Sequence, residues 1–311
     1  NKGFIHKYNI NTKDLEKIRV FNSGTVIKLY KMDNTFYAFN DLGEMGLSND
    51  DGKSWETKRI SDINAYCVIQ DSNYFYVRDS VKIFKIDEDG NKKNEFSLYS
   101  QKLNRYSEGF TPNYLYSMCL VNNNLAVETD SSKILFLSKD LVLRDSIEIK
   151  KSEVYLNDTL LYSSGFRLAT DGINLYTTMY QYTKHWYSYE TIYQIDAEKN
   201  ITVNKKVQST FLRIKAINKQ LYYIGFYRNR DLFIDTNRLS FNNWDGSMFG
   251  SRFYDIYNDY HIKNNFLYIV GKYGMFERVN LLDSTLEIIS EQRWINEQRA
   301  PFVLNDSTII F

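Results

Sequence analysis

Proline is nearly absent from this chain: Pro112 and Pro301 are the two in 311 residues, so no proline-rich linker divides it. Cysteine is as scarce. Cys67 and Cys119 cannot make a disulfide framework, and both sit in apolar runs (AYCVIQ and SMCLVN), where buried free thiols are expected. The three histidines, His6, His185 and His261, are scattered without ligand spacing, so no zinc site is expected, and neither metal nor cofactor is assigned. No sign of charge prevails: 39 basic residues face 38 acidic ones, for a net charge of +1. A nucleic-acid partner would leave a positive footprint, and its absence excludes that class. No window approaches eighteen apolar residues, so no transmembrane segment is expected. The chain opens at Asn1 without an apolar leader, which reads as an exported protein whose signal has been removed: secreted, periplasmic or surface-anchored. Its Asn-, Lys-, Ile- and Tyr-rich composition fits an AT-rich bacterial genome.

Aromatic residues are abundant. They make up 16% of the chain, with 26 Tyr and 20 Phe, and these types favour pleated strands. A short pattern recurs, a small polar turn followed by a Leu/Phe–Tyr strand: NTFYAF, SNYFYV, NNLAVE, INLYTT, KQLYYI, NFLYIV and STIIF. Its register positions are Phe36, Phe75, Leu125, Leu175, Leu221, Leu267 and Ile309, spaced 39, 50, 50, 46, 46 and 42 residues apart. Spacing of this kind is what radial four-stranded blades produce. A strand precedes each copy and two follow, the third recurring as KIFKID, ILFLSK, TIYQID, DLFIDT and MFERVN. The seventh copy ends after its second strand, while residues 4–21 match the third strand, turn and fourth strand of the others. The expectation is an all-β fold over 1–311: a single seven-bladed β-propeller of four-stranded antiparallel blades. Its N-terminal strands (4–21) complete the blade begun by 300–311, which hides sheet edges.

At the turn between the third and fourth strands of the first copy stands SNDDGKSW (48–55). Ser48, Asp50, Gly52 and Trp55 match the pattern Ser-x-Asp-x-Gly-x-x-Trp in full. The chain therefore resembles the BNR-repeat (Asp-box) propellers, which include sialidases, other glycosidases and non-enzymatic assembly factors. The local logic is structural. Asp accepts backbone N–H groups across a turn, Gly permits a positive φ, and Trp covers the turn. A sialidase of this superfamily would also carry an Arg-Ile-Pro motif and further boxes. FLRIKA (211–216) and DEDGNKKNE (87–95) match these poorly, so the resemblance implies a member without catalysis.

Blade topology puts the second-to-third links and the links to the next blade on one face, and the motif on the other. The extended connections, 100–114, 150–165, 180–190, 238–255 and 290–300, all fall on the first face. Loops on a rigid scaffold carry function, so a ligand is expected there. The candidate ligand-binding residues are Arg105, Tyr106, Tyr182, His185, Trp186, Tyr189, Arg228, Arg230, Trp244, Arg252, Arg293 and Trp294. Aromatic plates suit sugar faces, Arg forks carboxylates, and Trp, Tyr and Arg also anchor protein contacts. Each aromatic taken alone is better accounted for by packing within its loop, and it is the set as a whole that points to a ligand. The favoured reading is a binding or scaffolding module for a carbohydrate or protein ligand. The alternative is a carbohydrate-active enzyme, a sialidase-like glycoside hydrolase or a lyase. Such a hydrolase would use two facing carboxyls or a Glu-activated Tyr. Glu108, Asp171, Asp245 and Asp255 are the acids considered on that face, and no catalytic residue is assigned. A third reading makes the same face, or the blade rims, a platform for another protein.

Overall fold

Alternating apolar residues and short polar turns drive this chain into hairpins. In a computed structural model, placement is described for residues 3–62, 64–98, 117–129, 133–149, 154–155, 158–183, 188–207, 213–217, 220–226, 232–235, 257–271, 276–280, 282, 286–290, 302–305 and 308–310. Among the described residues every helix or strand element is a β-strand. β1 (Phe4–Asn9) and β2 (Leu15–Arg19) open the chain. Three four-stranded meanders follow. The first is β3 (Val26–Met32), β4 (Thr35–Asn40), β5 (Glu44–Ser48) and β6 (Glu56–Arg59). The second is β7 (Cys67–Asp71), β8 (Tyr74–Arg78), β9 (Lys82–Asp87) and β10 (Lys92–Ser97). The third is β11 (Met118–Val121), β12 (Asn124–Glu128), β13 (Lys133–Ser138) and β14 (Leu143–Glu148). A short β15 (Val154–Tyr155) joins β16 (Asp158–Thr170), β17 (Leu175–Thr183), β18 (Ser188–Ile195) and β19 (Ile201–Val207) in a five-stranded sheet. β20 (Arg213–Ile217), β21 (Gln220–Phe226) and β22 (Leu232–Asp235) form a three-stranded one, and the fourth strand expected after β22 lies outside the described residues. β23 (Tyr257–Lys263), β24 (Phe266–Gly271), β25 (Phe276–Asn280) and β26 (Leu286–Ser290) make another meander. β27 (Phe302–Asn305) and β28 (Thr308–Ile310) end the chain.

The repeat read from the sequence falls on one structural position. Phe36, Phe75, Leu125, Leu175, Leu221, Leu267 and Ile309 lie on β4, β8, β12, β17, β21, β24 and β28, each the second strand of its sheet once the two-residue β15 is set aside. The six whose side chains are described are at most 1% exposed. Burial of such a side chain contributes about 1.5–3 kcal/mol, which is why the spacing of these positions carries the fold. The polar turns before them are tight. Asn122–Asn123 (φ 47° and 59°) and Asn264–Asn265 (φ 49° and 62°) take the mirror-image conformation that suits a two-residue hairpin loop.

The chain forms two compact units, distinguished by their contacts. One comprises Asn1–Gln70, Glu88–Asn91 and Ser247–Phe311. In it β1 pairs with β2 (Phe4↔Arg19 through Tyr8↔Leu15) and, on its other edge, with β28 (Lys7↔Ile310, Tyr8↔Ile309, Asn9↔Thr308). The sheet order β2-β1-β28-β27 thus closes the C-terminal hairpin with the N-terminal one. Ile5, Ile18, Val20, Phe21, Leu29, Phe36, Ala38 and Ile310 form its larger cluster, and Tyr8, Ile10, Tyr268 and Ile309 a smaller one. Gly3 fixes the entry to β1. Its φ is 79°, its carbonyl accepts the amides of Val20 and Phe21, and an added Cβ would lie 2.0 Å from the Phe21 carbonyl oxygen.

The second unit comprises Asp71–Asp87 and Lys92–Gly246. Its core gathers Cys119, Val121, Ala126, Ile134, Phe136, Ile149, Leu168, Leu175, Tyr193 and Ile195 from successive sheets. Neither cysteine is in a disulfide; Cys119 is buried as expected, but Cys67 is only half-buried, at the start of β7.

Candidate functional site

The 48–55 motif is absorbed by its own turn. β5 ends on Ser48, whose hydroxyl accepts the Gly52 amide at 2.9 Å and donates to Asp50 Oδ1 at 2.8 Å. Asp50 Oδ1 also accepts the Ser54 amide at 2.9 Å, and Oδ2 accepts the Ser54 hydroxyl at 2.7 Å. The Ser54 amide, the Ser54 hydroxyl and then the Ser48 hydroxyl hold the Asp50 carboxyl well below the usual carboxylate range. Asp51 and Gly52 take φ of 57° and 84°, and Trp55 Nε1 donates to the Gly52 carbonyl at 2.9 Å. The indole then packs on the larger cluster of its unit. Beneath it is Gly46, where an added Cβ would lie 3.2 Å from Trp55 Cε3 and 3.0 Å from Val20 Cγ1.

The same device recurs without the full motif. Asn9, Ser138 and Asp196, at the ends of β1, β13 and β18, each accept turn amides through a side-chain oxygen. Lys13, Leu141 and Lys199 supply the left-handed residue. Each turn is gripped from the preceding sheet where the partners are described. Lys58 donates to Asp89 O and Asn91 Oδ1, and Lys199 pairs with Asp145. The turn at 139–140 is held by the Tyr76 hydroxyl on Lys139 O (2.9 Å), by Lys85 on Asp140 (2.9 Å) and by Asp71 on Lys139 (2.8 Å). Asp171, considered on the loop-rich face, belongs instead to the turn between β16 and β17 at the opposite end. There its carboxylate accepts the amides of Ile173 and Asn174 and the Tyr176 hydroxyl. Among the described residues no group of three or more His, Cys, Asp or Glu is placed to hold a metal ion.

The loop-rich end belongs to the links from second to third strands and from fourth strands onward. Arg105, Tyr106, His185, Trp186, Arg228, Arg230, Trp244, Arg252, Arg293 and Trp294 lie outside the described residues, as do Glu108, Asp245 and Asp255. Tyr182 and Tyr189 are placed by their backbones on β17 and β18. Two of the connections expected as loops prove to be strand. Most of 150–165 is taken by β15 and by the start of the 13-residue β16, and 180–190 is largely the ends of β17 and β18. Their β-branched and aromatic content explains this. β17 runs to Thr183, whereas β4, β8 and β12 stop at Asn40, Arg78 and Glu128, three or four residues past their repeat position. The four extra residues amount to an overhang of about 13 Å.

The ladder regroups the tyrosines. Tyr182 stands opposite Tyr162 and Ser188, and Tyr180 opposite Ser164 and Glu190, so Tyr162, Tyr180, Tyr182 and Glu190 occupy one face of the overhang. Tyr189, opposite Gln181, falls on the other face. Register shifts flank this stretch of β16 at Leu160/Tyr162 and at Ser164/Phe166, the second spanning Gly165. Tyr162 and Tyr180 were not among the candidates, because it is the ladder register that sets them on the face of Tyr182. The i, i+2 spacing of Tyr180 and Tyr182 was the available signal.

No protein-family model matches the chain, and no curated protein does. Solved structures do. BamB from Moraxella catarrhalis aligns over 96% of this chain and 88% of its own, with 8% identity and a TM-score of 0.55. The WD40 domain of Neurospora crassa Pan2 aligns over 85% and 78%, with 11% identity and a TM-score of 0.51. The computationally designed Ika8 protein aligns over 93% and 96%, with 9% identity and a TM-score of 0.56. At such identities the likeness concerns architecture alone, and these neighbours are β-propellers. Successive antiparallel sheets, a repeat fixed on each second strand and a clasp between the chain ends make this protein a β-propeller in fold.

Proposed function

We propose that the protein is an exported bacterial β-propeller that binds a partner, a protein or a carbohydrate, at its loop-rich end, and that it performs no chemistry there. The observation that carries this reading is the length of β16, β17 and β18: β17 runs eight residues past its repeat position, where β4, β8 and β12 run three or four. A rigid element rich in Tyr, Ser and Thr suits recognition, because Tyr offers large contact area at low entropic cost. In this reading residues 1–311 form one seven-bladed ring of the BNR-repeat superfamily. Arg105, Tyr106, Tyr182, His185, Trp186, Tyr189, Arg228, Arg230, Trp244, Arg252, Arg293 and Trp294 line its recognition end. Ser48, Asp50, Gly52 and Trp55 serve the fold.

Binding of the purified chain to a broad glycan and peptide panel tests it. Replacement of Trp186, Trp244 and Trp294 by Ala should abolish the strongest signal, and a signal that survives all three moves the site elsewhere. A sialidase-like glycosidase is the second reading. It is favoured by the register of Tyr180 opposite Glu190, a Tyr–Glu couple of the type the resemblance implies. Release of the leaving group from an aryl sialoside, lost in Tyr180→Phe, would replace the first reading with this one.

A further inference from the structure

Ser117 is a junction of three consecutive sheets. Its carbonyl accepts Arg78 Nη1 from β8 at 3.1 Å and the Glu128 amide of β12 at 3.2 Å. Its amide donates to Glu128 Oε2 at 3.4 Å, and its hydroxyl accepts the Leu168 amide of β16 at 2.9 Å. Arg78 is 0% exposed and Glu128 2%. Removing a guanidinium and a carboxylate from water is costly, and apolar residues of like volume usually hold a core at least as well. Stability alone therefore does not account for two buried charges here. The equivalent strand positions elsewhere are not charged: Phe39 in β4, Thr178 in β17 and Val270 in β24. The chain that arrives there has crossed one of the long connections. β10 ends at Ser97 and β11 begins at Met118, whereas β2 to β3 and β6 to β7 cross within seven residues. Long connections in compact folds are commonly functional.

We propose that Arg78 and Glu128 are positioning residues that clamp the Ser117 peptide and so fix the point at which the connection carrying Arg105 and Tyr106 re-enters the fold. Arg78 holds the carbonyl from the preceding sheet, Glu128 holds the amide from its own, and the Ser117 hydroxyl ties the clamp to the following sheet. Its importance for binding rests on the reading of the loop-rich end; the clamp itself does not.

Residue-resolved hydrogen exchange on the intact chain tests it. Glu128→Leu and Arg78→Met are each expected to speed exchange at Ser117 and Leu168 at least tenfold relative to Phe36 and Leu267. Glu128→Gln, which keeps an acceptor oxygen, should stay within about threefold of the parent. Acceleration shared equally by all these amides, no local change, or a Glu128→Gln variant as fast as Glu128→Leu would each overturn the clamp. Should the two disruptive variants fail to fold, Ser117→Ala removes only the acceptor for the Leu168 amide, and unchanged exchange at Leu168 would refute the junction. Binding of whichever panel member the parent captures is the second readout, expected to fall with Glu128→Leu and to return with Glu128→Gln. Altered exchange without altered binding retains the clamp and removes the recognition role of this connection, so the two failures are told apart.

Discussion

Ser48→Ala separates a fold-building motif from a ligand site. The Ser48 side chain is 2% exposed, and its oxygen is the acceptor for the buried Gly52 amide as well as the donor to Asp50. Alanine fits the space but supplies neither, so the Gly52 N–H loses its partner in a place where water cannot replace it. Such an orphaned group costs about 1–3 kcal/mol, and about 2 kcal/mol is expected here. An unfolding entropy of about 2.1 cal/mol/K per residue turns that into a fall in Tm of about 3 °C if all 311 residues melt together. Ser48 belongs to the unit holding both chain ends, which spans less than half of the chain. If that unit melts independently, the same free energy shifts its own transition by about 7 °C, because its entropy is smaller. Differential scanning calorimetry reads both quantities, with Ser48→Thr as the control that retains the hydroxyl. Panel binding should be unchanged. A Tm within 0.5 °C of the parent, or normal Tm with lost binding, would refute the structural assignment of the motif.

The remaining predictions concern other parts of the fold. Gly3→Ala should cost about 3 kcal/mol or more, since it combines a strained φ with a Cβ placed 2.0 Å from the Phe21 carbonyl oxygen; a denaturant midpoint equal to the parent's would contradict that. Tyr76→Phe should cost about 1 kcal/mol by removing the hydroxyl that holds Lys139 O, and the loss should shrink when Tyr76→Phe is made in a Lys139→Gly background only if the two act through other contacts. Burial, then the Lys17 charge, keep the His6 imidazole below its ordinary value. The unfolded chain therefore takes up the proton first, so stability is full above the unfolded value near 6.5 and is lost as pH falls below it. Urea midpoints at pH 7.5 and 5.5 should converge in His6→Gln; an unchanged difference would assign the pH dependence to other groups.

Much of this architecture was legible because its determinants are local and repeated. Two-residue Asn, Asp and Ser turns followed by a buried Leu, Phe or Ile fix a hairpin wherever they occur, and the interval between copies reports one sheet. The clasp of β1 with β28 followed from counting strands at both termini. What escaped was set by length and by register. In 150–165 and 180–190, Ser, Gly and Asn among the tyrosines looked like loop chemistry, yet β-branched and aromatic neighbours kept the ladder going. Tyr182 and Tyr189 looked alike by composition, but one step of register places them on opposite faces. Arg78 and Glu128 were invisible as a pair because 50 residues separate them and they meet at the peptide of Ser117.

The strictness of the 48–55 motif is better explained by packing than by ligand chemistry. The turns that follow β1, β13 and β18 also have capped amides and a left-handed residue, the capping supplied by Asn9, Ser138 and Asp196 with different side chains. What differs is how the turn is held by its surroundings. At 88–91, 138–142 and 196–200 a lysine, tyrosine or aspartate reaches across from the sheet before, beside apolar contacts of Gly90 with Met45 and Ile60 and the burial of Leu141. At 48–55 the grip is an indole, seated over Gly46 and against Val20 and Phe21. An indole reaches that seat only if the turn presents it at one angle, which demands Asp50 to close the turn over Ser54 and Gly52 to reverse it. A lysine on a flexible stem tolerates many turn shapes, so turns held that way are free to drift in sequence. The complete motif therefore stands in the first meander, next to the N-terminal strands of the terminal clasp, where an apolar seat resists exchange with water better than an exposed ion pair does.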